Sequence, residues 1–144
     1  MVIDDSKLTG ALKISLNDEI VHQCDNLVVT AGKQWVAGRF KDGSIPTQMP
    51  HMAIGESDTA AAAANTALAT ELNRITLTTA GGTVSTNTVQ YDASWTSAAA
   101  AYAIKEAGIF NASTGGTMLA RTTFAVINKG TDDTVSISWT ITVS

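Results

Sequence analysis

Hydrophobic and polar residues alternate with a period of two along much of the second half of the chain. The segment 134–144 has an apolar side chain at every second position: Val135, Ile137, Trp139, Ile141 and Val143. The segment 88–95 repeats this pattern from Val89 to Trp95, and Ile75 and Leu77 alternate with threonines. Such alternation predicts strands with one buried face and one polar face. The segment 117–127 is apolar on both phases near its ends, which predicts a central strand covered on both sides.

Turn-forming residues separate these predicted strands. They occur in "AGGTVSTN" at 80–87, "NASTGG" at 111–116 and "NKGTDD" at 128–133. Glycine adopts positive φ without strain, and Asn and Asp side chains bond to nearby backbone. Short strands separated by such turns predict a mainly β fold, an antiparallel β-sandwich.

The first half of the chain is less regular. It predicts a hairpin that turns at Asn17 and Asp18, followed by a short helix over 30–40 with Thr30 as its N-cap. The Ala-rich segment 58–72 favours helix, but its Thr and Asn residues indicate a loop with a second short helix. We therefore expect one or two short helices in the N-terminal half. Within one compact domain, we assign residues 1–50 to a docking segment and residues 51–144 to the sandwich core.

Composition narrows the classes of partner. The chain has 144 residues, enough for one domain. Only 15% of residues are charged, compared with about 25% in typical soluble domains. Thr, Ser, Asn and Ala must cover the surface instead, as in proteins buried in assemblies. The net charge is −4 without a Lys/Arg cluster, so we expect no nucleic-acid partner. Apolar runs such as 60–64 are too short to cross a bilayer, so we expect no membrane partner and a cytosol-like compartment.

Candidate catalytic groups are sparse. The single cysteine, Cys24, excludes an intramolecular disulfide and a Cys-rich metal site. His22 and His51 are the only imidazoles, and neither stands in a pattern that indicates a nucleophile with its base or a set of metal ligands. We therefore predict no enzyme activity and no catalytic, cofactor or metal site. Trp95 and Trp139 lie on the apolar phase of their strands, which favours core packing over a sugar-binding platform.

Glu106 and Arg121 stand out because each is a charge within an apolar segment. Burying a carboxylate among apolar residues is costly unless a cation and hydrogen bonds satisfy it. Antiparallel pairing across the turn at 111–116 places Arg121 opposite or near Glu106. Arg74 is the other candidate cation. We predict a structural ion pair of Glu106 with Arg121 or Arg74.

Several of these segments together resemble a known family. The matching pieces of this chain are His51–Gly55, Thr66–Arg74, Tyr91, Ile104–Asn111, Gly116–Phe124 and Trp139–Val143. In this order they resemble small virion proteins of tailed bacteriophages, in particular the particle-proximal domain of phage tail-collar fibre proteins. There, an "E-x-G-L-F" hairpin follows an "A-L-x-x-E-x-x-R" segment. This chain has "KEAGIFN" at 105–111 and "NTALATELNR" at 65–74.

The resemblance implies a non-enzymatic structural protein of the virion, assembled in the host cytoplasm. Its implied role is a tail, neck or collar-fibre-type component that binds other virion proteins. A capsid decoration (cement) protein is the alternative, and a carbohydrate-binding module is an alternative of another class. Low charge predicts a homo-oligomer, a trimer or a hexamer. Trp35 and Phe40 are the candidate docking residues.

Overall fold

The computed structural model describes residues 6–42 and 47–144. The bounds of the elements follow in chain order: β1 Leu8–Leu16, β2 Glu19–Val28, α1 Thr30–Lys41, β3 His51–Gly55, β4 Glu71–Thr76, β5 Thr83–Ser85, β6 Thr88–Trp95, β7 Tyr102–Phe110, β8 Met118–Lys129 and β9 Val135–Val143. All strand pairs are antiparallel, so the prediction of a mainly antiparallel β fold is confirmed.

The strands form one continuous sheet in the order β4-β3-β7-β8-β2-β1-β9-β6-β5. The sheet curls into a half-barrel, so the two layers expected of a sandwich are two halves of the same sheet. The half β4-β3-β7-β8 joins the half β2-β1-β9-β6-β5 through only two residue pairs, Leu27 with Arg121 and Val28 with Ala120. Near the open side, Trp95 of β6 donates from Nε1 to Asn73 Oδ1 of β4, at 2.9 Å.

One main core lies between the two halves and takes buried side chains from both, such as Ile14 and Trp139 from one half and Met52 and Ile109 from the other. The alternating residues of β6 and β9 point into this core, as their pattern predicted. β8 is buried at five consecutive positions, Met118–Thr122, because β7 and β2 pair with its edges and α1 packs on it.

The N-terminal residues are part of the sheet. β1 lies between β2 and β9 near its middle, and Leu12 and Ile14 are fully buried. The predicted turn at Asn17 and Asp18 is present, with φ of 51° and 68°. Since β1 and β2 complete the core, residue 50 does not mark a boundary in the fold. The segment "KDGSIPTQMP" covers residues 41–50, and its residues 43–46 lie outside the described residues.

Two local predictions were wrong. The helix α1 begins at Thr30 and its N-cap is Val29, which makes no side-chain capping bond. The N–H of Val29 donates instead to Leu119 O at 3.2 Å, and that of Thr30 to Ala63 O at 2.8 Å. The second helix is absent, since residues 56–70 contain no helix, and α1 alone meets the expectation of one or two short helices. Tertiary hydrogen bonds to this segment replace the helical ones that its alanines would favour.

Candidate functional site

The charged pair Glu106 and Arg121 is buried at the centre of the β7–β8 hairpin. Glu106 is 0% exposed and Arg121 is 1% exposed. Arg121 donates to Glu106 Oε2 from Nη2 at 2.8 Å and from Nε at 3.0 Å, so the predicted ion pair is present. Arg121 is paired with Gly108 across the ladder and Glu106 with Thr123, so the two charges contact diagonally.

The ion pair holds the irregular loop of residues 56–70 against the sheet. Glu106 accepts hydrogen bonds from the backbone N–H groups of Thr70 at 2.8 Å, Ala69 at 3.1 Å and Ser57 at 3.4 Å. Arg121 donates from Nη2 to Thr59 O at 2.8 Å and from Nη1 to Asn65 Oδ1 at 3.0 Å. Both ends and the middle of the loop are therefore bound to the pair.

The two carboxylate oxygens of Glu106 accept five hydrogen bonds in all: two from Arg121 and three from the loop. Such bonds compensate for the loss of hydration that burial imposes on both charges. Chemically, this arrangement fixes the loop and the hairpin register. Gly55 of β3 is part of the same arrangement, because a Cβ there would collide with Glu106 Oε1 and Thr70 O.

Arg74 does not pair with Glu106, so this part of the prediction was wrong. Its guanidinium binds Glu71 on the same strand, with Nη2 2.7 Å from Oε2. It also lies over the Phe110 ring at 3.7 Å and donates to the carbonyls of Ala112 and Gly115, each at 2.9 Å. Arg74 therefore fixes the β7–β8 turn from outside the buried pair.

Trp35 and Phe40, the candidate docking residues, lie on α1 beside a largely apolar groove. We call it the α1–β5 groove, and its volume is about 450 Å³. Its floor and rim include these six residues: Trp35, Val89 and Tyr91, and then Phe40, Val84 and Val143. Phe40 is 86% exposed and Val84 is 71% exposed. Trp35 is half-buried, and its Nε1 donates to Thr47 O at 2.7 Å. The groove thus presents apolar side chains to solvent, and Arg39 and Gln48 also line it.

The remaining residues singled out by sequence do not come together. His22 packs on the Phe124 ring at 5.5 Å, whereas Cys24 lies 3.7 Å from the Thr122 hydroxyl. Burial, followed by the charge of Arg74, lowers the pKa of His51. Across residues 6–42 and 47–144, no three His, Cys, Asp or Glu side chains are grouped as metal ligands. The same ranges contain no helix long and apolar enough to span a membrane.

Trp95 and Trp139 are buried in the core, as predicted, and each is 1% exposed or less. Trp95 Nε1 binds Asn73, and Trp139 Nε1 donates to Asn26 Oδ1 at 2.8 Å. With their rings enclosed, these two tryptophans present no face to a sugar.

Two features of the site were missed from sequence. Asn65 reaches Arg121 across 56 positions, and no local pattern indicates that contact. Val84 belongs to a segment, Leu77–Tyr91, that has no charged residue. That absence was visible in the sequence and could have indicated an unprotected strand edge.

The chain was compared with protein-family models, with curated proteins and with solved structures, and none of the three comparisons finds a match.

Proposed function

We propose that this chain is a non-enzymatic structural protein of a tailed bacteriophage particle, a tail, neck or collar-fibre-type component that binds neighbouring virion proteins. The observation that carries the proposal is where the resembling segments lie in the fold. Tyr91 of β6 and Trp139–Val143 of β9 lie in the other half of the sheet, whereas most of the resembling residues lie in β3, β4, β7 and the first part of β8. These four strands are neighbours and form one half of the sheet.

The buried pair Glu106 and Arg121 belongs to this same half and binds the loop that connects β3 to β4. Most of the segments that resemble one family therefore form a single packed unit with a common centre. This supports the proposal that the chain shares the structural framework of that family. Such a framework suits a structural, non-enzymatic protein. Low charge and the apolar rim of the α1–β5 groove support a role in binding other proteins.

We further propose that the protein is a homo-oligomer, a trimer or a hexamer, and that it is located in the virion after assembly in the host cytoplasm. Homo-oligomers with closed symmetry are the commonest assemblies of soluble proteins. Light scattering of the purified protein tests this directly. A strict monomer at all concentrations would contradict the oligomer.

The experiment for the main proposal uses antibodies raised against the purified protein. Phage particles released from cells that carry the gene are separated on a density gradient, and each fraction is probed and counted by quantitative mass spectrometry. We expect the protein in the particle fractions at far fewer copies than the major capsid protein. A copy number comparable to that of the major capsid protein would indicate decoration, and absence from intact particles would refute a virion role.

A further inference from the structure

The two outer edges of the sheet differ in charge. The edge strand β4 contains Glu71 and Arg74, which form an ion pair on it. The other edge strand, β5, is Thr-Val-Ser, all three residues are exposed, and no charge occurs between Leu77 and Tyr91. Proteins usually protect sheet edges with charges, prolines or a covering element, because unpaired edges recruit further strands. β5 has neither charged residues nor prolines.

β5 also has an unpaired side. It pairs with β6 through Thr83, Val84 and Ser85, and it is the last strand of the sheet. In an antiparallel ladder, N–H and C=O groups point alternately to the two sides of a strand. Those of β5 that point away from β6 have no strand partner within the described chain. The backbone chemistry of this edge therefore suits another extended strand.

The α1–β5 groove lies beside this edge. The side chain of Val84 lines the groove, as do Phe40 across from it and Val143 of β9. An added strand would place every second side chain over the groove, because side chains alternate between the faces of a sheet. An apolar side chain at that spacing would contact the exposed rim.

The size of the surface decides between a strand and a second copy of the whole protein. A stable dimer buries roughly 800 Å² on each partner. A three-residue edge and three exposed apolar side chains are too few to form such an interface. They match a short extended segment, which gains affinity from backbone hydrogen bonds and specificity from pockets for alternate side chains.

We propose that β5 and the α1–β5 groove bind an uncharged extended segment of another protein by strand addition, with apolar residues at every second position. The inference rests on the proposed function, because it names how a neighbouring virion protein would be held. It is tested on the isolated protein, so its failure is distinguishable from absence of the protein from particles.

The probe is the capped peptide Thr-Val-Thr-Val-Thr, and the signal is tryptophan emission. Trp35 is the half-buried tryptophan of the groove, whereas Trp95 and Trp139 are buried in the core. We expect a saturable emission shift with the peptide and no shift with the same peptide N-methylated at alternate amides, which cannot form the ladder. Val84→Lys should weaken binding at least tenfold, since it places a charge on the edge.

The matched control is Val126→Lys, which charges an exposed valine of β8 outside the groove. It should bind the peptide as the unmodified protein does. Circular dichroism should show both variants folded, because each valine is exposed. Absence of a shift up to millimolar peptide, an equal shift with the N-methylated peptide, or equal weakening by both variants would overturn the proposal.

Experiments on the same isolated protein also test two other possible occupants of the edge and the groove. Self-association that Val84→Lys abolishes would assign the edge to a second copy and overturn the proposed foreign segment. Peptide binding that appears only after residues 1–5 are deleted would assign the groove to the chain itself, with the same consequence.

Discussion

Replacing Glu106 with glutamine should destabilise the protein strongly, although the side chain keeps its shape. The amide of glutamine carries no charge. Its nitrogen is a hydrogen-bond donor in a place where an oxygen of Glu106 accepts hydrogen bonds from N–H groups. With the amide nitrogen in the place of Oε2, Arg121 and Ala69 lose their acceptor, and Arg121 keeps only Thr59 O and Asn65 Oδ1 as partners. With the nitrogen in the place of Oε1, Thr70 and Ser57 lose their acceptor.

The expected magnitude follows from the burial of both partners. Removing one member of a fully buried ion pair typically costs about 3–5 kcal/mol. Each loss of about 1.4 kcal/mol raises the equilibrium constant for unfolding tenfold. The unfolded fraction should therefore rise on the order of a hundredfold to a thousandfold or more. Domains are stabilised by about 5–15 kcal/mol in total, so this loss is a large share.

The assay is urea unfolding followed by the emission of Trp95 and Trp139, which are both in the core. Glu71→Gln is the matched control, because it breaks an ion pair whose carboxylate side chain is 33% exposed. The Arg74 side chain is 7% exposed but keeps the carbonyls of Ala112 and Gly115 as acceptors, so Glu71→Gln should cost less than Glu106→Gln. A free energy of unfolding for Glu106→Gln equal to that of Glu71→Gln would refute the reasoning.

A double variant separates the charge pair from the loop. Replacing a buried pair by apolar residues is often neutral when only the charges interact. Glu106→Leu combined with Arg121→Leu should regain only part of the loss, because the loop amides still lack their acceptor. Full recovery of the free energy of unfolding would show that the loop contacts contribute nothing.

Three further predictions concern other parts of the molecule. Gly32→Ala should lower the free energy of unfolding in a urea titration, although alanine favours helix by about 1 kcal/mol, because the new Cβ would collide with the backbone of Leu119; a gain would contradict this packing. Burial raises the pKa of Tyr91 to about 12, so the folded chain keeps the phenol neutral while the unfolded chain ionises from about pH 10. Stability relative to Tyr91→Phe should therefore fall across that window by up to about 3 kcal/mol, measured by urea titration at each pH. Burial also raises the pKa of the Cys24 thiol, so a thiol reagent at pH 8 should label it more slowly in the folded protein than in urea.

The strands could be predicted from sequence because their signal is local. In β9, Val135, Ile137, Trp139 and Ile141 alternate with Ser and Thr, and all four are buried. The Asn17-Asp18 hairpin was equally local, since both residues tolerate positive φ. The buried residues of β9 can therefore be predicted from the alternation of apolar and polar residues with a period of two.

The loop of residues 56–70 could not be predicted in the same way. Its alanines favour helix, but Glu106 and Arg121 bind its backbone from 36 or more positions away. Arg74 was the alternative partner of Glu106, and it binds Glu71 instead. Glu71 is three residues away on the same strand, which begins at Glu71 and therefore before the alternating residues Ile75 and Leu77. Long-range polar contacts decided the conformation of the loop, and a contact three residues away decided the partner of Arg74.

The place of β1 in the sheet sets an order on folding. β1 is made early but pairs with β9, so that Leu8 faces Val143 in the ladder. Ribosomes synthesise β9 last among the strands, and until then Leu12 and Ile14 lack one of the two strands that flank β1. Pairing of residues so distant in sequence requires closing a long loop. The entropy lost on closing it precedes any stabilising contact, and this slows folding. The sheet should therefore be completed only after β9 has emerged from the ribosome, and until then the nascent chain should expose the apolar face of the β1–β2 hairpin to chaperones.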